Sequence, residues 1–207
     1  MKRRVWLTLG LLPAAATWAA SSDADAGGLA RLGARLSDAP VQRGRFEQRK
    51  GIKGFRQPLV SRGDFLMVRD KGVVWQTREP FASTLLLTRD RLRMQDASGQ
   101  TTSLASGQEP AVRLLNQWLP AILSGDLGAL GQAFTVEQPA ATAGPWRLQL
   151  SPRDAALAQW LQGVELEGDQ QLTLLRWRER SGDSIEIRFS QWSSARQASP
   201  EELKRLD

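Results

Sequence analysis

The sequence contains no cysteine, no histidine and no tyrosine among its 207 residues. Without cysteine the chain has neither a disulfide framework nor a lipid-modified N-terminal cysteine. Without cysteine and histidine it also lacks the usual zinc sites and the Cys–His and Ser–His–Asp catalytic groups. A hydrolase that uses carboxylates alone stays chemically possible, but the acidic residues are scattered and no pair stands out as an acid and a base. We therefore expect a protein that is not an enzyme and that uses no metal or cofactor.

The first residues have the features of an export signal. A basic stretch, residues 2–4, precedes an apolar stretch, residues 5–18, which is too short for a membrane-spanning helix. Small residues allow cleavage after Ala19 or, as a later alternative, after Ala26. We expect residues 1–19 to be a signal peptide and the protein to be exported in soluble form, which in a two-membrane bacterium means to the periplasm.

Residues 20–207 have the composition of one globular domain. Hydrophobic residues make up 41% of the sequence and charged residues 24%, and the formal net charge is +6. Three of the positive charges lie in the signal peptide, so the remaining basicity is mild. No run of lysine and arginine with interleaved aromatic residues predicts a nucleic-acid groove. We expect a monomer that binds no nucleic acid.

Residues 44–88 predict four consecutive strands joined by short turns. In the third strand Val73, Trp75 and Thr77 share one face and alternate with residues of the other face. Pro80 ends this strand because proline has no N–H for the hydrogen-bond ladder. Connections of hairpin length favour antiparallel pairing of the four strands.

The same alternation predicts further strands along the chain. They cover residues 91–96, 134–137, 146–150, 161–167, 172–179 and 184–191. Residues 97–108 are rich in serine, threonine, glycine and glutamine and predict a loop. These strands share one apolar face and, together with the helices below, predict an α+β fold built on a strongly curved antiparallel sheet or incomplete β-barrel.

Helices are predicted near both ends of the chain. Residues 27–37 place Leu29, Leu32 and Leu36 on one face, and this face must be buried on the sheet. Residues 199–202 combine a serine cap, a proline at the first helical position and a glutamate at the third, which predicts a short C-terminal helix.

The pattern takes a helical period in the middle of the chain, over residues 109–125. Apolar residues recur there at Val112, Leu115, Trp118, Leu119 and Ile122. Pro120 should kink or split this element near Leu119, and Asp126 can cap a shorter helix that runs through Gln132. These pieces either cover one side of the sheet as plain packing elements or form a lid over a hydrophobic cavity, since both roles need the same apolar face.

Bulky apolar side chains are in unusually large supply, with eight tryptophans and six phenylalanines. Residues 65–68 and 85–87 place apolar side chains on both faces of their strands, which one buried face does not require. An interior cavity on one side with helix packing on the other would explain this surplus, and a two-layer core would explain it equally well.

The first half of the chain carries a spaced set of residues on consecutive predicted strands behind an export signal. The set is Phe46, Gln48, Gly63, Asp64, Arg69, Trp75 and Pro80. In this order and spacing it resembles the LolA family of periplasmic lipoprotein carriers. The resemblance is strongest up to about Ser98. In that family an N-terminal helix and a mid-chain helical lid cover the mouth of a half-barrel, so the resemblance favours the lid for residues 109–132.

By this resemblance the protein carries the acyl chains of a lipoprotein or another lipid in a hydrophobic cavity and moves them towards the outer membrane. The implied cavity residues are Phe46, Phe65, Met67, Val73, Trp75, Leu85, Leu87, Leu92 and Met94. The implied lid residues are Leu115, Trp118, Leu119 and Ile122. Arg69 stands where the family has an arginine that holds the lid closed through hydrogen bonds to lid backbone. The implied partners are an inner-membrane exporter as donor and an outer-membrane acceptor.

Two features keep other interpretations open. LolA proteins typically finish with a further strand, whereas this chain finishes with a predicted helix, so family features at the C-terminus do not transfer. The alternative function is a lipid-sensing or accessory binding domain in an envelope pathway that exports a glycolipid or polyene, without lipoprotein transfer.

Overall fold

One antiparallel sheet of eleven strands forms the body of the protein in the structure, a computed structural model. The structure describes residues 27–36, 38–88, 92–103, 118–138 and 143–206. The strands are β1 (Val41–Gly51), β2 (Leu59–Val68), β3 (Gly72–Glu79), β4 (Ser83–Thr88), β5 (Leu92–Asp96), β6 (Thr101–Ser103), β7 (Phe134–Gln138), β8 (Trp146–Pro152), β9 (Leu161–Gly168), β10 (Leu172–Glu179) and β11 (Ser184–Ala195).

The first and last strands meet in the middle of the sheet. The strand order is β6-β5-β4-β3-β2-β1-β11-β10-β9-β8-β7, so two meanders are joined by the antiparallel pair β1 and β11. The sheet stays open, with β6 and β7 as its edges. This open, curved antiparallel sheet confirms the predicted fold class.

The strand count is higher than the sequence predicts. The extra edge strand β6 lies inside the segment predicted as a loop, residues 97–108, and pairs with β5 through residues 101–103. Its three residues are all polar, so no alternation of apolar side chains marks it. Hydrogen bonding to β5, rather than a buried face, makes it a strand.

Short helical pieces accompany the sheet. They are α1 (27–33), α2 (118–123), the 3-10 helix η1 (Leu127–Gln132), α3 (Ala155–Trp160) and α4 (Pro200–Lys204). The predicted helix at residues 27–37 is longer than α1, because turn residues follow Gly33. Even so, Leu29, Leu32 and Leu36 are all buried, as the periodicity predicts.

The middle of the chain is described from residue 118 onward. Pro120 lies in α2, and residues 109–117 lie outside the described residues, so the kink or split near Leu119 stays a prediction. Gly125 ends the helical stretch with a φ of 78°. Asp126 stands at the cap position of η1, but its side chain makes no capping hydrogen bond, and η1 is a 3-10 helix.

The two faces of the sheet bury different clusters. The inner, concave face carries the main core, which includes α1, α2 and η1. The outer face carries a smaller cluster, to which Leu206 of the C-terminal tail belongs, and its other members are Val41, Leu66, Val68, Val74 and Leu86. Each strand with apolar residues on both faces therefore contributes to both clusters, which explains the surplus noted in the sequence.

The C-terminal helix α4 is fastened to the outer face. Ser199 and Glu202 form the predicted capping box, in which each side chain binds the other residue's backbone N–H. The Glu202 carboxylate also accepts hydrogen bonds from the Arg43 guanidinium of β1. These hydrogen bonds from Arg43 are the main reason that the pKa of Glu202 falls from 4.5 to about 2.

Acid is expected to loosen this attachment. A carboxylate whose pKa is lower in the folded state stabilises that state above its ordinary pKa, so the contribution is complete above pH 4.5 and is lost as the pH falls towards 2. After allowance for solvent screening, we expect Glu202 to contribute about 2 kcal/mol to the free energy of unfolding. Urea unfolding measured from neutral pH down to this window tests the value.

The matched control replaces the neighbouring exposed residue, as Glu201→Gln. Glu202→Gln should remove its share of about 2 kcal/mol from the pH dependence in that window, whereas Glu201→Gln should leave the pH dependence intact. The pKa values of Glu47, Asp96 and Glu186 are also lowered by their hydrogen-bond and ion-pair partners, so these carboxylates keep the remaining dependence. Equal pH profiles for the wild-type protein and Glu202→Gln would contradict the assignment.

Candidate functional site

The inner face gathers almost all of the cavity residues implied by the sequence. Seven of them are buried in one cluster, namely Phe46, Phe65, Met67, Val73, Trp75, Leu87 and Leu92. Leu85 is half-buried and packs against this cluster. Met94, paired with Leu85 across β4 and β5, is 40% exposed. The apolar face therefore continues to the solvent at the β4–β5 side of the sheet.

Aromatic contacts organise the centre of this face. Phe46 and Trp75 stack with their ring centroids 3.8 Å apart, across the position of Gly63 on the strand between them. A Cβ at Gly63 would lie 2.8 Å from the Phe46 ring and 1.9 Å from the Gln76 carbonyl oxygen, so only glycine fits there. The spacing of Phe46, Gly63 and Trp75 in the sequence thus reflects one packed unit.

Charged residues occupy the opposite face. Asp64 of β2 accepts a hydrogen bond from Arg78 and pairs with Arg45 at 3.5 Å. On the other half of the sheet, Arg176 bridges Glu165 at 2.6 Å and Glu186 at 2.7 Å. A groove of about 760 Å³ has several of these ion-paired side chains in its wall, among them Arg45, Asp64 and Arg78.

The helical segment between β6 and β7 lies over the inner face. Because β6 and β7 are opposite edges of the sheet, the chain between them has to cross from one edge to the other. Trp118, Leu119 and Ile122 of α2 point into the main core, as the helical spacing predicts, whereas Leu115 lies outside the described residues. Leu123, Leu127 and Leu130 join them in the core, although no motif in the sequence singled them out.

The helical segment of α2 and η1, called the cover below, packs closely against the inner face of the sheet. Trp118 of α2 meets Phe134 of β7 edge-on, with centroids 4.6 Å apart. Below them the structure leaves a gap of about 10 Å³, about the room of one water molecule. The gap is lined by Trp118, Leu119, Ile122, Leu130, Phe134, Leu150, Val164, Leu175 and Trp177. The hollow expected from the sequence is thus filled by side chains of the cover in this closed arrangement.

One polar group in the gap lacks a partner. The Nε1–H of Trp177 is buried and has no hydrogen-bond acceptor among the described residues. By contrast, Trp146 Nε1 donates to Asp169 O at 2.9 Å and Trp192 Nε1 donates to Leu172 O at 3.0 Å. A buried N–H without a partner costs about 1–3 kcal/mol.

Arg69 lies at the junction of the two covering segments. Its Nη2 donates to Asp38 O at 2.6 Å, just after α1, and to Ser124 O at 3.5 Å, at the end of α2. The family resemblance matches Arg69 to a lid-locking position, and the structure places its guanidinium against the backbone at the end of α2. Asp38 was not foreseen, because a backbone carbonyl as acceptor has no sequence signal.

The N-terminal helix and the lid also touch directly. A Cβ at Gly33 would lie 2.2 Å from Gly125 O, and a Cβ at Gly125 would lie 3.3 Å from the Leu36 Cβ. Glycine at both positions lets the two backbones approach closely. The N-terminal helix and the α2–η1 segment therefore lie side by side over the inner face.

The chain resembles known proteins over most of its length. Residues 16–199 match a family model described as outer membrane lipoprotein carrier protein LolA-like. A comparison with curated protein sequences gives no match. None of the helices in the described residues is long and apolar enough to cross a membrane.

Solved structures share the fold at low sequence identity. A DUF1329 family protein from Desulfovibrio piger is 10% identical with a TM-score of 0.54, over 90% of this chain and 99% of that one. A putative outer membrane lipoprotein-sorting protein domain from Vibrio parahaemolyticus is 9% identical with a TM-score of 0.50, over 89% and 97%. A LolA superfamily protein from Nitrosomonas europaea is 12% identical with a TM-score of 0.48, over 86% and 96%. With its open curved sheet, its covered apolar face and a family match across most of its length, this chain belongs to the LolA-like family of outer membrane lipoprotein carrier proteins.

Proposed function

We propose that this protein is a periplasmic carrier that binds the acyl chains of a lipoprotein or another lipid against its inner face. It moves them towards the outer membrane without making or breaking a covalent bond. The observation that supports this most is the apolar inner face covered by separate short helices, beneath which the chain's own side chains take the place of cargo. An inner-membrane exporter as donor and an outer-membrane acceptor complete the proposal.

Binding in this proposal is an exchange of one apolar group for another. Each methylene of an acyl chain gains about 0.8 kcal/mol when it leaves water. The lid gives up a comparable burial when Trp118, Leu119 and Ile122 leave the inner face. The net affinity is therefore a small difference between two large terms, and modest changes in lid stability shift the balance between loading and release.

Release depends on how firmly the lid closes. Arg69 contributes to closure by donating to the Asp38 and Ser124 carbonyls. An arginine fork suits this task because one guanidinium satisfies several carbonyl groups at once. We therefore assign Arg69 to the closed state that expels cargo.

Replacing Arg69 by leucine is expected to raise the retention of bound lipid. Loss of the two hydrogen bonds should weaken closure by about 1 kcal/mol, which corresponds to about a fivefold gain in retention. The measurement is the dissociation rate of a fluorescent fatty acid from the purified variant. Arg178→Leu, an exposed arginine on β10, is the matched control, and a dissociation rate equal to that of the wild-type protein would remove Arg69 from the mechanism.

The deciding experiment is mass spectrometry of lipid that co-purifies with the protein from native periplasm. A lipopeptide, a phospholipid or a polyene in the extract would support the carrier and identify its cargo. A protein that is empty after purification and also fails to bind any acylated probe would refute it.

A further inference from the structure

Two loops at one end of the sheet expose large apolar side chains. Phe55 and Leu59 belong to the loop between β1 and β2 and its exit, and Phe81 lies in the turn between β3 and β4. They are 72%, 60% and 81% exposed, and are the most exposed large apolar residues of the described chain. Leaving so large a fraction of a phenylalanine side chain in water is unfavourable, and burial against a binding partner would remove this cost.

The β1–β2 loop extends beyond the end of β3 and is held in place by hydrogen bonds. The β2–β3 pairing ends with Arg62 opposite Glu79, so β2 continues past β3 to Leu59. The loop is fixed at its base by the Lys53 N–H, which donates to Asp183 Oδ1 at 2.9 Å. A turn hydrogen bond from Phe55 N to Ile52 O holds the tip. The exposed Phe55 is therefore displayed by an ordered hairpin.

The same hairpin is strongly basic. Residues 48–63 contain five basic residues and no acidic one. Arg49 and Arg62 pair with Glu47, at 2.8 and 2.9 Å. Within the described part of the chain Lys50, Lys53 and Arg56 make no ion pair, so their charges are available to an outside anion. Near the second loop, the acidic Glu79 is partly neutralised by Arg62 at 3.7 Å.

We infer that this end of the sheet docks on the surface of an anionic phospholipid bilayer. Phenylalanine rings enter the boundary between headgroups and acyl chains, while lysine and arginine remain among the phosphates. Two narrow loops, each with one aromatic ring at its tip, suit a soft surface better than the flat or concave area that a folded protein partner fills. The inference goes beyond cargo binding, since it concerns where the carrier meets a membrane.

The test measures co-sedimentation of the empty, purified protein with lipid vesicles. The protein should bind vesicles of phosphatidylethanolamine and phosphatidylglycerol and not vesicles of phosphatidylcholine, and salt should weaken the binding. The double variant Phe55→Ser with Phe81→Ser should bind about tenfold less or weaker still. The triple variant Lys50→Gln, Lys53→Gln, Arg56→Gln should lose a similar factor.

The matched control replaces another exposed apolar residue, as Leu203→Ser, which is 39% exposed and lies away from both loops. This variant should bind vesicles like the wild-type protein. Thermal unfolding should be equal for all variants, because none of these side chains is buried. No binding of the wild-type protein to anionic vesicles would overturn the inference. The inference would also be overturned if the phenylalanine and basic-residue variants bound anionic vesicles as well as the wild-type protein does. The same holds if these variants kept vesicle binding and lost only the association with a membrane protein. Acyl-probe binding is unaffected by either result, so failure here is separate from failure of the carrier proposal.

Discussion

A disulfide between residues 30 and 128 is expected to prevent the loading of acyl chains. Ala30 lies in α1 and Gly128 in η1, and a Cβ at Gly128 would lie 3.7 Å from the Ala30 Cβ. That separation matches the usual value of about 3.8 Å between bridged cysteines. Because the bridge fastens the lid to the N-terminal helix, the two covers can no longer part. We expect binding of a fluorescent fatty acid to fall by more than about tenfold in the oxidised variant.

The chain suits this experiment because it has no cysteine of its own. Reduction should restore binding in the same sample, and each single-cysteine variant should bind like the wild-type protein. The bridge should also stabilise the folded state by about 4 kcal/mol, since it closes a loop of about a hundred residues. An oxidised, stabilised variant that still loads fatty acid at the wild-type level would mean that the covers move as one body.

Truncating two tryptophans that line the same gap is expected to change affinity in opposite directions. Trp118 belongs to the lid and fills the inner face only when the lid is closed, whereas Trp177 belongs to the floor formed by β10. Either substitution by alanine removes burial worth about 3–5 kcal/mol. Trp118→Ala weakens the closed state and should raise the affinity for fatty acid by about tenfold or more. Trp177→Ala removes contact area that the acyl chain would use and should lower it.

Equilibrium binding and urea unfolding, measured on the same two variants, separate the effects. Both variants should be less stable than the wild type, so stability alone does not distinguish them. The affinities for fatty acid do distinguish them, because the affinity should rise for Trp118→Ala and fall for Trp177→Ala. A fall in affinity for both variants would show that Trp118 supports the binding site instead of competing with cargo.

Most strands and helices were predictable because short stretches of sequence carry the patterns that indicate them. Alternation, apolar stretches and the turn residues between them predicted ten of the eleven strands, and the capping residues Ser199 and Glu202 predicted α4. The edge strand β6 has no buried face and hence no alternation. The pairing of β1 with β11 joins residues far apart in the chain, and nothing in either strand indicates its neighbour.

The site was predictable in composition but less so in arrangement. Periodicity and family resemblance together brought Phe46, Phe65 and Trp75 to one face and placed Trp118 above it. The sequence could not tell whether the space between them is hollow or filled, since both arrangements use the same apolar residues. The hydrogen bond from Arg69 to the Asp38 carbonyl could not be predicted from the sequence, because every residue has a backbone carbonyl that can accept.

The pairing of the first strand with the last has a consequence for the order of folding. β11, residues 184–195, lies between β1 and β10 at the centre of the sheet. Until it has been synthesised, the edges of β1 and β10 that it pairs with stay exposed. The final step is a long-range closure, which is slow compared with forming the hairpins on either side. A chain emerging from the ribosome therefore keeps an incomplete sheet until residues 184–195 have emerged, and during that time the unpaired edges of β1 and β10 are accessible to chaperones and proteases.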